Sequence, residues 1–261
     1  MKKWFIKAIV FISAALCIIP LIITVSNSFM SSWEIAEGAH VFPRDISIYQ
    51  YEQVLLRSPQ YLLWFWNSVK ILFFTVILAI PLSVSAGFGF SKFQFPGRDI
   101  IFFLYIIILL LPFQATLVPQ YITLNHLNLL DTTAAVVLPN AFSAFGAFMM
   151  TQFMKNIDDE IVDAGKIDGL SHWGVFIYII VPLSKTAVAA LFILLFIECW
   201  SMIEQPLIFL TDQGELPLSL YLGNISSNLY AAGTIYLILP LLVYLLAHDE
   251  LVEGISYSGI K

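Results

Sequence analysis

The sequence predicts an all-α integral membrane protein with six transmembrane helices and a polar helical segment between the fourth and the fifth. Composition is the first reason. The 261 residues are 59% hydrophobic and 11% charged, with a mean hydropathy of +0.87, whereas soluble domains carry roughly 25% charged residues. The second reason is a set of continuous apolar runs, since a spanning helix needs about 20 mostly apolar residues. The third is a polar island, residues 156–182, that interrupts the apolar pattern.

Six apolar segments are long enough to span a membrane. Each must be helical in lipid, because every backbone polar group needs an internal partner there, and a β-barrel would instead alternate over segments of about ten residues. Pro20, Pro81 and Pro112 lie inside or near these segments and are expected to kink them. The predicted spans are Trp4–Phe29, Asn67–Phe90, Ile100–Ile122, Ala134–Met154, Thr186–Leu210 and Tyr230–Ala247.

The first apolar run is interpreted as an uncleaved span, because it is long for a signal peptide and no clear Ala-x-Ala site follows it. Residues 1–261 show no repeat, low-complexity tract or long linker, so they are expected to form one membrane domain. With six spans both termini share a side, and nine of the 12 Lys and Arg residues fall on it. Because these residues are in excess in cytoplasmic loops, the termini and the polar island are predicted to be cytoplasmic.

Local signals in the polar island predict a helix, a glycine break and a second helix. Asn156 or Asp158 can cap the first helix, and the acids that follow suit the positive end of its dipole. Gly169 suits the position after a helix end, and Ser171 can cap the second helix. That second helix, HWGVFIYIIV, is expected to end near Pro182.

The residues alone allow two interpretations of the island. One is a solvated loop. The other is a docking surface, in which the small Ala164 and Gly165 fit a socket on a soluble partner. Gly165 and Gly169 also match the Gly-x-x-x-Gly pattern of paired spanning helices. Because Lys166 and Asp168 lie between them, that use is rejected.

The spacing in the island resembles the EAA loop of ABC importer permeases. That family has Glu-Ala-Ala, three residues, Gly, nine residues and then Ile-x-Leu-Pro. This sequence keeps the spacing from Asp163 to Pro182 and departs mildly, with Asp for Glu, Gly for the second Ala and Val for Leu. The resemblance implies a coupling helix that docks on a cytoplasmic ATPase. The ATPase-coupling residues it implies are Asp163, Ala164, Gly165, Asp168, Gly169, Ile179 and Pro182.

The likeness covers nearly the whole chain and favours the carbohydrate-uptake branch, which includes the second permease subunit of maltose-type importers. The stretches SKFQFPGRD, LLPFQATLVPQYITLNHLNLLDT and LVEGISYSGIK are among those that carry it. The resemblance implies a permease subunit of an ATP-driven importer of a sugar or oligosaccharide in a bacterial cytoplasmic membrane. The implied partners are a homologous permease, two ATP-binding subunits and an extracellular substrate-binding protein.

The chain itself is expected to be neither an enzyme nor a cofactor-binding protein. It has no Gly-x-x-x-x-Gly-Lys-Ser/Thr loop for phosphate, and ATP and Mg²⁺ are expected in the partner ATPase subunits. The four His are scattered singly, and Cys17 and Cys199 lie in apolar runs, so no metal site is predicted. A net charge of −6 disfavours nucleic acid as a partner.

Polar groups around the end of the fifth span are the candidates for a substrate pathway, because such groups in spans usually face a cavity or a partner. Carboxylates and amides can bond sugar hydroxyls, and an indole can stack on a sugar ring. Alternatively, Glu198 packs against a partner subunit and Glu204 lies near the outer surface. In the resembling family Asn is common where this chain has Ser201. The pathway candidates are Glu198, Trp200, Ser201, Glu204 and Gln205.

Other classes stay open at this point. An ABC permease for a non-sugar solute is one. An ion-coupled carrier would use Glu198 as its coupling group, although the paired halves with broken helices typical of that class are not visible. An intramembrane enzyme would need a nucleophile and a base, which the spans do not offer. The polar segment Thr211–Leu229 is expected either to reach the binding protein or to be a solvated connector.

Overall fold

The computed structural model describes residues 2–38, 42–222 and 229–258, and within these ranges the regular elements are all helical, as predicted. A π-helical stretch, Phe176–Ile180, separates α10 from α11. The α-helices in chain order are α1 (Lys2–Asn27), α2 (Ser32–Glu37), α3 (Tyr49–Leu56), α4 (Pro59–Lys92), α5 (Arg98–Leu110), α6 (Phe113–His126), α7 (Thr133–Ala141), α8 (Ala144–Lys155), α9 (Asp159–Ile167), α10 (His172–Val175), α11 (Val181–Leu183), α12 (Lys185–Trp200), α13 (Glu204–Phe209), α14 (Leu218–Leu222) and α15 (Leu229–Ser258).

The 34-residue helix α4 lies at the centre and packs against α7, α8, α12 and α14. It begins at Pro59, eight residues before the predicted start at Asn67, because proline is suited to the first helical position and the added turns bury Tyr61 and Trp64. A Cβ on Gly87 would lie 2.6 Å from the Cβ of Met150. Glycine at that position therefore lets α4 and α8 approach closely.

The predicted third span, Ile100–Ile122, is two helices, α5 and α6, that meet at an angle of 107°. The sequence predicted only a kink at Pro112. Leu111 is extended, with φ −70° and ψ 132°, because a residue before proline avoids helical angles. Pro20 and Pro81, by contrast, lie inside α1 and α4, which continue through them.

Two other predicted spans are also divided. The fourth is broken between α7 and α8, where the Ser143 hydroxyl accepts a hydrogen bond of 3.0 Å from the backbone N–H of Gly146 and caps α8. The fifth, predicted as Thr186–Leu210, ends at Trp200, and α13 follows as a separate short helix. The last span begins one residue before the predicted Tyr230 and continues past Ala247.

Length and composition fit a membrane protein. Three described segments are long and apolar enough to cross a membrane: Ile9–Asn27, Pro59–Lys92 and Thr133–Lys155. Two bent pairs pass the same test together, α5 with α6, and His172–Leu183 with α12, the latter bent by 71°. Tyr230–Leu246 is a shorter apolar helix.

Two of the buried apolar clusters lie at opposite ends of α4. One joins the C-terminal half of α4 to α8, α9, the segment 172–183 and α12, with Met150, Met154 and Leu191 fully buried. The other joins the start of α4 to α3, α14 and α15 around Tyr61 and Leu218. The helix α4 thus connects the α9 segment to the loop before α14.

Candidate functional site

The polar island folds as a helix, a glycine break and a second helix, as predicted. Asp158 precedes α9 at the N-cap position without a side-chain cap bond, and Asn156 instead ends α8. Gly169 follows the end of α9 with a φ of +87°, a left-handed angle that favours glycine. The Ser171 hydroxyl caps α10 by accepting a hydrogen bond of 3.2 Å from the N–H of Gly174.

One face of α9 packs inside the chain. Val162 and Gly165, three residues apart, are its buried residues. The space that a Cβ on Gly165 would need is occupied by the Cδ1 atom of Ile179, with Leu170 and Val175 at 3.5 Å. Gly165 and Ile179, which sequence analysis assigned to ATPase coupling, therefore hold the island together internally.

The opposite face of α9 and the turn after it are exposed. Asp163, Ala164, Asp168 and Gly169 lie there. Ile167 is 86% exposed, and Trp173 and Ile161 of the same island are 70% and 42% exposed. The Lys166 ammonium forms an ion pair of 2.9 Å with the Asp163 carboxylate, three residues earlier in the helix, and both side chains are exposed.

A buried cation ties the start of α9 to α4. Lys92, the last residue of α4, has a side chain that is only 4% exposed. Its ammonium donates to the Asp159 carboxylate at 2.6 Å and to the Ile157 carbonyl at 2.5 Å. The hydrogen bond from Lys92, and then its charge, hold the pKa of Asp159 below its ordinary value. In the sequence Lys92 is only one of the nine basic residues on the predicted cytoplasmic side, because no motif marks its partner 67 residues away.

The second helix of the island ends at Leu183, close to the predicted end near Pro182. It changes to π geometry over Phe176–Ile180, and Pro182 lies inside the short α11 that follows. In an α-helix, proline lacks an N–H donor and its ring clashes with the carbonyl four residues earlier. A π-helical turn before Pro182 adds one residue to the turn and so relieves this clash. The bend into α12 occurs at Ser184, which is buried.

The pathway candidates divide into exposed and buried residues. Glu198, Ser201 and Glu204 are exposed on the chain's own surface, and the Gln114 amide lies 3.3 Å from the Glu204 carboxylate. Trp200 is 2% exposed and stacks against Phe196 and Tyr236. Its ring faces are thus occupied within the chain, and sugar stacking by Trp200 would require it to leave this packing.

Gln205 is also buried, at 2% exposure, and its amide is used on both sides. It donates to the Gln120 side-chain oxygen at 3.0 Å and accepts from the Asn140 amide at 2.6 Å. The three residues lie on α13, α6 and α7. This amide network joins three short helices, and the Gln114–Glu204 contact links two of them, α6 and α13, a second time.

The loop before α14 is anchored to the start of α4. Asn67 donates to the carbonyls of Gly214 at 2.7 Å and Leu216 at 3.0 Å. Trp64 donates to the Gln213 carbonyl at 2.6 Å, and the Ser68 hydroxyl accepts from the Leu218 N–H at 2.8 Å. The described part of Thr211–Leu229 is therefore a hydrogen-bonded loop that leads into α14, while residues 223–228 of that segment lie outside the described residues.

Asp131 fixes the other side of this loop. Its carboxylate accepts from the Thr211 backbone N–H at 2.5 Å and from the Thr211 hydroxyl at 2.7 Å. These bonds hold the pKa of the fully exposed Asp131 carboxyl below its ordinary value. The φ of Asp131 is +60°, a left-handed angle that Asp tolerates better than most residues.

No group of three or more His, Cys, Asp or Glu side chains is placed to hold a metal ion in the part of the chain that the structure describes. The functional geometry consists instead of the exposed face of α9, the exposed polar residues around the end of α12, and the anchored loop 211–218.

Comparisons with known proteins identify the family of the chain. The family described as "Binding-protein-dependent transport system inner membrane component" matches residues 79–256. The arabinooligosaccharides transport system permease protein AraQ of Halalkalibacterium halodurans is 27% identical over 259 residues, 95% of this chain and 92% of that protein. The lactose transport system permease protein LacG of Rhizobium radiobacter is 33% identical over 201 residues, 74% of each chain.

Two further matches are a relative of another named substrate and a solved structure. The sn-glycerol-3-phosphate transport system permease protein UgpE of Shigella flexneri is 36% identical over 152 residues, 57% of this chain and 54% of that protein. A solved bacterial ABC transporter that imports the acidic polysaccharide alginate shares the fold, with a TM-score of 0.85, 21% identity and 95% coverage of both chains. From the family match and these relatives, the chain belongs to the inner membrane components of binding-protein-dependent transport systems, a family of transport subunits rather than enzymes.

Proposed function

We propose that this chain is a permease subunit of an ATP-driven ABC importer of a sugar or oligosaccharide, and that α9 is its coupling helix. The observation that carries the proposal is the exposed face of α9. It presents Ile167, at 86% exposure, beside Asp163, Ala164 and Asp168. A large exposed apolar side chain among small and charged ones suits insertion into a cleft of a soluble ATPase subunit. Gly165 and Ile179 keep that face presented.

We infer six spans with both termini in the cytoplasm: α1, α4, α5 with α6, α7 with α8, α12 with α13, and α15. The basic residues support this orientation. Lys92 ends α4, Arg98 begins α5, Lys155 ends α8 and Lys185 begins α12, so they share the end of the molecule that carries α9. Cytoplasmic ends of spans are rich in Lys and Arg.

The substrate pathway is proposed to run between this chain and a homologous permease. Glu198, Ser201 and Glu204 face outward from α12 and the turn after it, whereas the buried Trp200 and Gln205 hold that turn in place. Carboxylates accept hydrogen bonds from hydroxyls but repel phosphate and uronate groups. This favours a neutral carbohydrate, as in the names of the arabinooligosaccharide and lactose relatives, over a phosphate ester.

The loop 211–218 is proposed to meet the extracellular binding protein. It lies at the opposite end of α4 from α9, and Thr211, Asp212 and Gln213 are exposed on it. Anchoring by Asn67 and Asp131 means that a partner meets a formed surface, which lowers the entropy cost of binding.

Affinity purification of the tagged chain from its native host in mild detergent tests the proposal. Mass spectrometry of the purified material should find a second permease, an ATPase with a phosphate-binding loop and, after cross-linking, a solute-binding protein. ATP and Mg²⁺ bind that ATPase in this scheme. Repeated recovery of this chain alone and monodisperse would contradict the proposal and turn attention to an ion-coupled carrier.

A further inference from the structure

We propose that α4 is a rigid rod that carries the displacement of α9 to the loop 211–218, with Lys92 and Asn67 as positioning residues at its two ends. The inference rests on the proposed function, because α9 must be moved by an ATPase. It goes beyond that function, since it names the path by which closure of the ATPase would reach the surface that meets the binding protein.

At the Lys92 end, a buried ammonium lies beside an apolar cluster. The ammonium is almost fully buried and is held by the Asp159 carboxylate and the Ile157 carbonyl. A buried charge that loses its partners is costly, so α4 and the start of α9 are held together. Phe88 and Phe93 of the same region contact Phe176 and His172 of the return helix, with ring centroids 5.0 and 5.5 Å apart.

The Asn67 end holds the loop by its backbone. A single amide donates to two carbonyls, those of Gly214 and Leu216, at 2.7 and 3.0 Å. Asn67 is 1% exposed, so these bonds are not readily exchanged for water. A shift of this part of α4 therefore displaces the loop directly.

Between the two residues the helix is unbroken. Asn67 and Lys92 are 25 positions apart, which in an α-helix is roughly 38 Å. Pro81 interrupts the hydrogen-bond ladder on the exposed side of α4, but the helix continues through it and Ala79, Ser83 and Val84 beside it are buried; buried, packed side chains transmit displacement. The alternative route along the chain bends by 71° between His172–Leu183 and α12, and α12 then ends at Trp200.

Hydrogen exchange on the purified complex tests the rod. The complex is compared in its free state and after trapping with ADP, Mg²⁺ and orthovanadate, which holds the ATPase closed. In the unaltered chain, trapping should change exchange in peptides from α9 and from residues 211–222. In the Lys92→Met variant, the ATPase should still trap vanadate, but trapping should no longer change hydrogen exchange at residues 211–222. The Lys92→Arg variant keeps the positive charge and should retain that change in exchange. Arg98→Gln is the matched control, because the Arg98 side chain is less buried and pairs with its neighbour Asp99 rather than with α9; this variant should keep the response.

Asn67→Ala removes the hydrogen bonds that join α4 to the loop at the other end of the helix. Trapping should still change hydrogen exchange at α9 in this variant but no longer at residues 211–222. The double variant, Lys92→Met with Asn67→Ala, should lose no more of the exchange change at 211–222 than either single variant does. A loop response that persists in Lys92→Met or Asn67→Ala, or effects that add, would overturn the proposal. If Lys92→Met does not fold, Asp159→Asn breaks the same pair from its exposed side. Absence of any ATPase in the purified complex would instead overturn the proposed function, and the rod with it.

Discussion

The Cδ1 atom of Ile179 occupies the space into which a Cβ on residue 165 would project, so Gly165 and Ile179 form one close contact between α9 and the helix that returns to α12. Two residues assigned to ATPase docking from sequence thus contact each other. This contact sets the angle at which α9 presents Asp163, Ala164 and Ile167.

Gly165→Ala should be tolerated. The clashing atom is the end of a flexible side chain, and alanine stabilises a helix interior by about 1 kcal/mol relative to glycine. Gly165→Val should cost about 1–3 kcal/mol through overpacking, and Ile179→Val should recover part of that loss in the double variant. Thermal unfolding in detergent measures all four proteins. Equal destabilisation by Ala and Val would contradict the packing account.

Substitutions at Gly169 should follow backbone tolerance rather than size. No atom lies within 4 Å of a Cβ built there, but φ is +87°. Asn, which visits left-handed angles, should retain co-purification of the ATPase better than Val, because the strain for most residues is roughly 1–2 kcal/mol. Asp tolerates the same angle but adds a negative charge to the exposed turn, so Gly169→Asp should leave the chain in the membrane but weaken or uncouple ATPase docking. If Asn, Asp and Val all keep full docking and transport, Gly169 has no role in coupling.

Acid should loosen the loop 211–218. Hydrogen bonds from Thr211 lower the pKa of Asp131 in the folded chain. A lowered folded-state pKa contributes stability that is fully present above the ordinary carboxyl pKa and is lost as pH falls through the lowered value. Exchange protection at Thr211 and Asp212 should therefore fall in that acidic window, and the effect should be small because the carboxyl is exposed. Asp131→Asn should flatten the pH dependence; an unchanged profile would exclude Asp131 as its cause.

Gln205→Leu should destabilise the chain without a specific transport defect. It leaves the Gln120 oxygen and the Asn140 amide without one partner each, and because both groups are only partly buried the cost should be about 1 kcal/mol or less per group. Unfolding in detergent should show the loss, and Asn140→Leu added to it should cost less than it does alone. A variant of normal stability that fails to transport would instead place Gln205 in the pathway.

Glu198→Gln should leave stability and complex assembly intact and change uptake only in degree. Glu198 is exposed on α12 and has no hydrogen bond or ion pair with any described residue of this chain. Uptake of labelled sugar by cells, measured beside the amount of complex in the membrane, checks this. Complete loss of uptake with normal assembly is the outcome expected of an ion-coupled carrier.

The breaks between helices are the part of the fold that the sequence predicted least well. Pro112 predicted a kink, and the structure has a 107° turn there. Nothing in the run of apolar residues marked the ends of α7 or α12, because an apolar run has the same appearance whether it is one helix or two. The contacts Lys92–Asp159 and Asn67–Gly214 could not be predicted from the sequence either, because each joins positions far apart in the chain.

The sequence by itself determined that the protein is helical, apolar and built around one polar helix–glycine–helix island, because helix caps, a left-handed glycine and long apolar runs act over a few residues. Only the tertiary structure decided which island residues face outward, that Trp200 and Gln205 are buried, and that α4 connects α9 to the loop 211–218. Those facts depend on burial and on hydrogen bonds between distant segments, and both arise only when the helices pack.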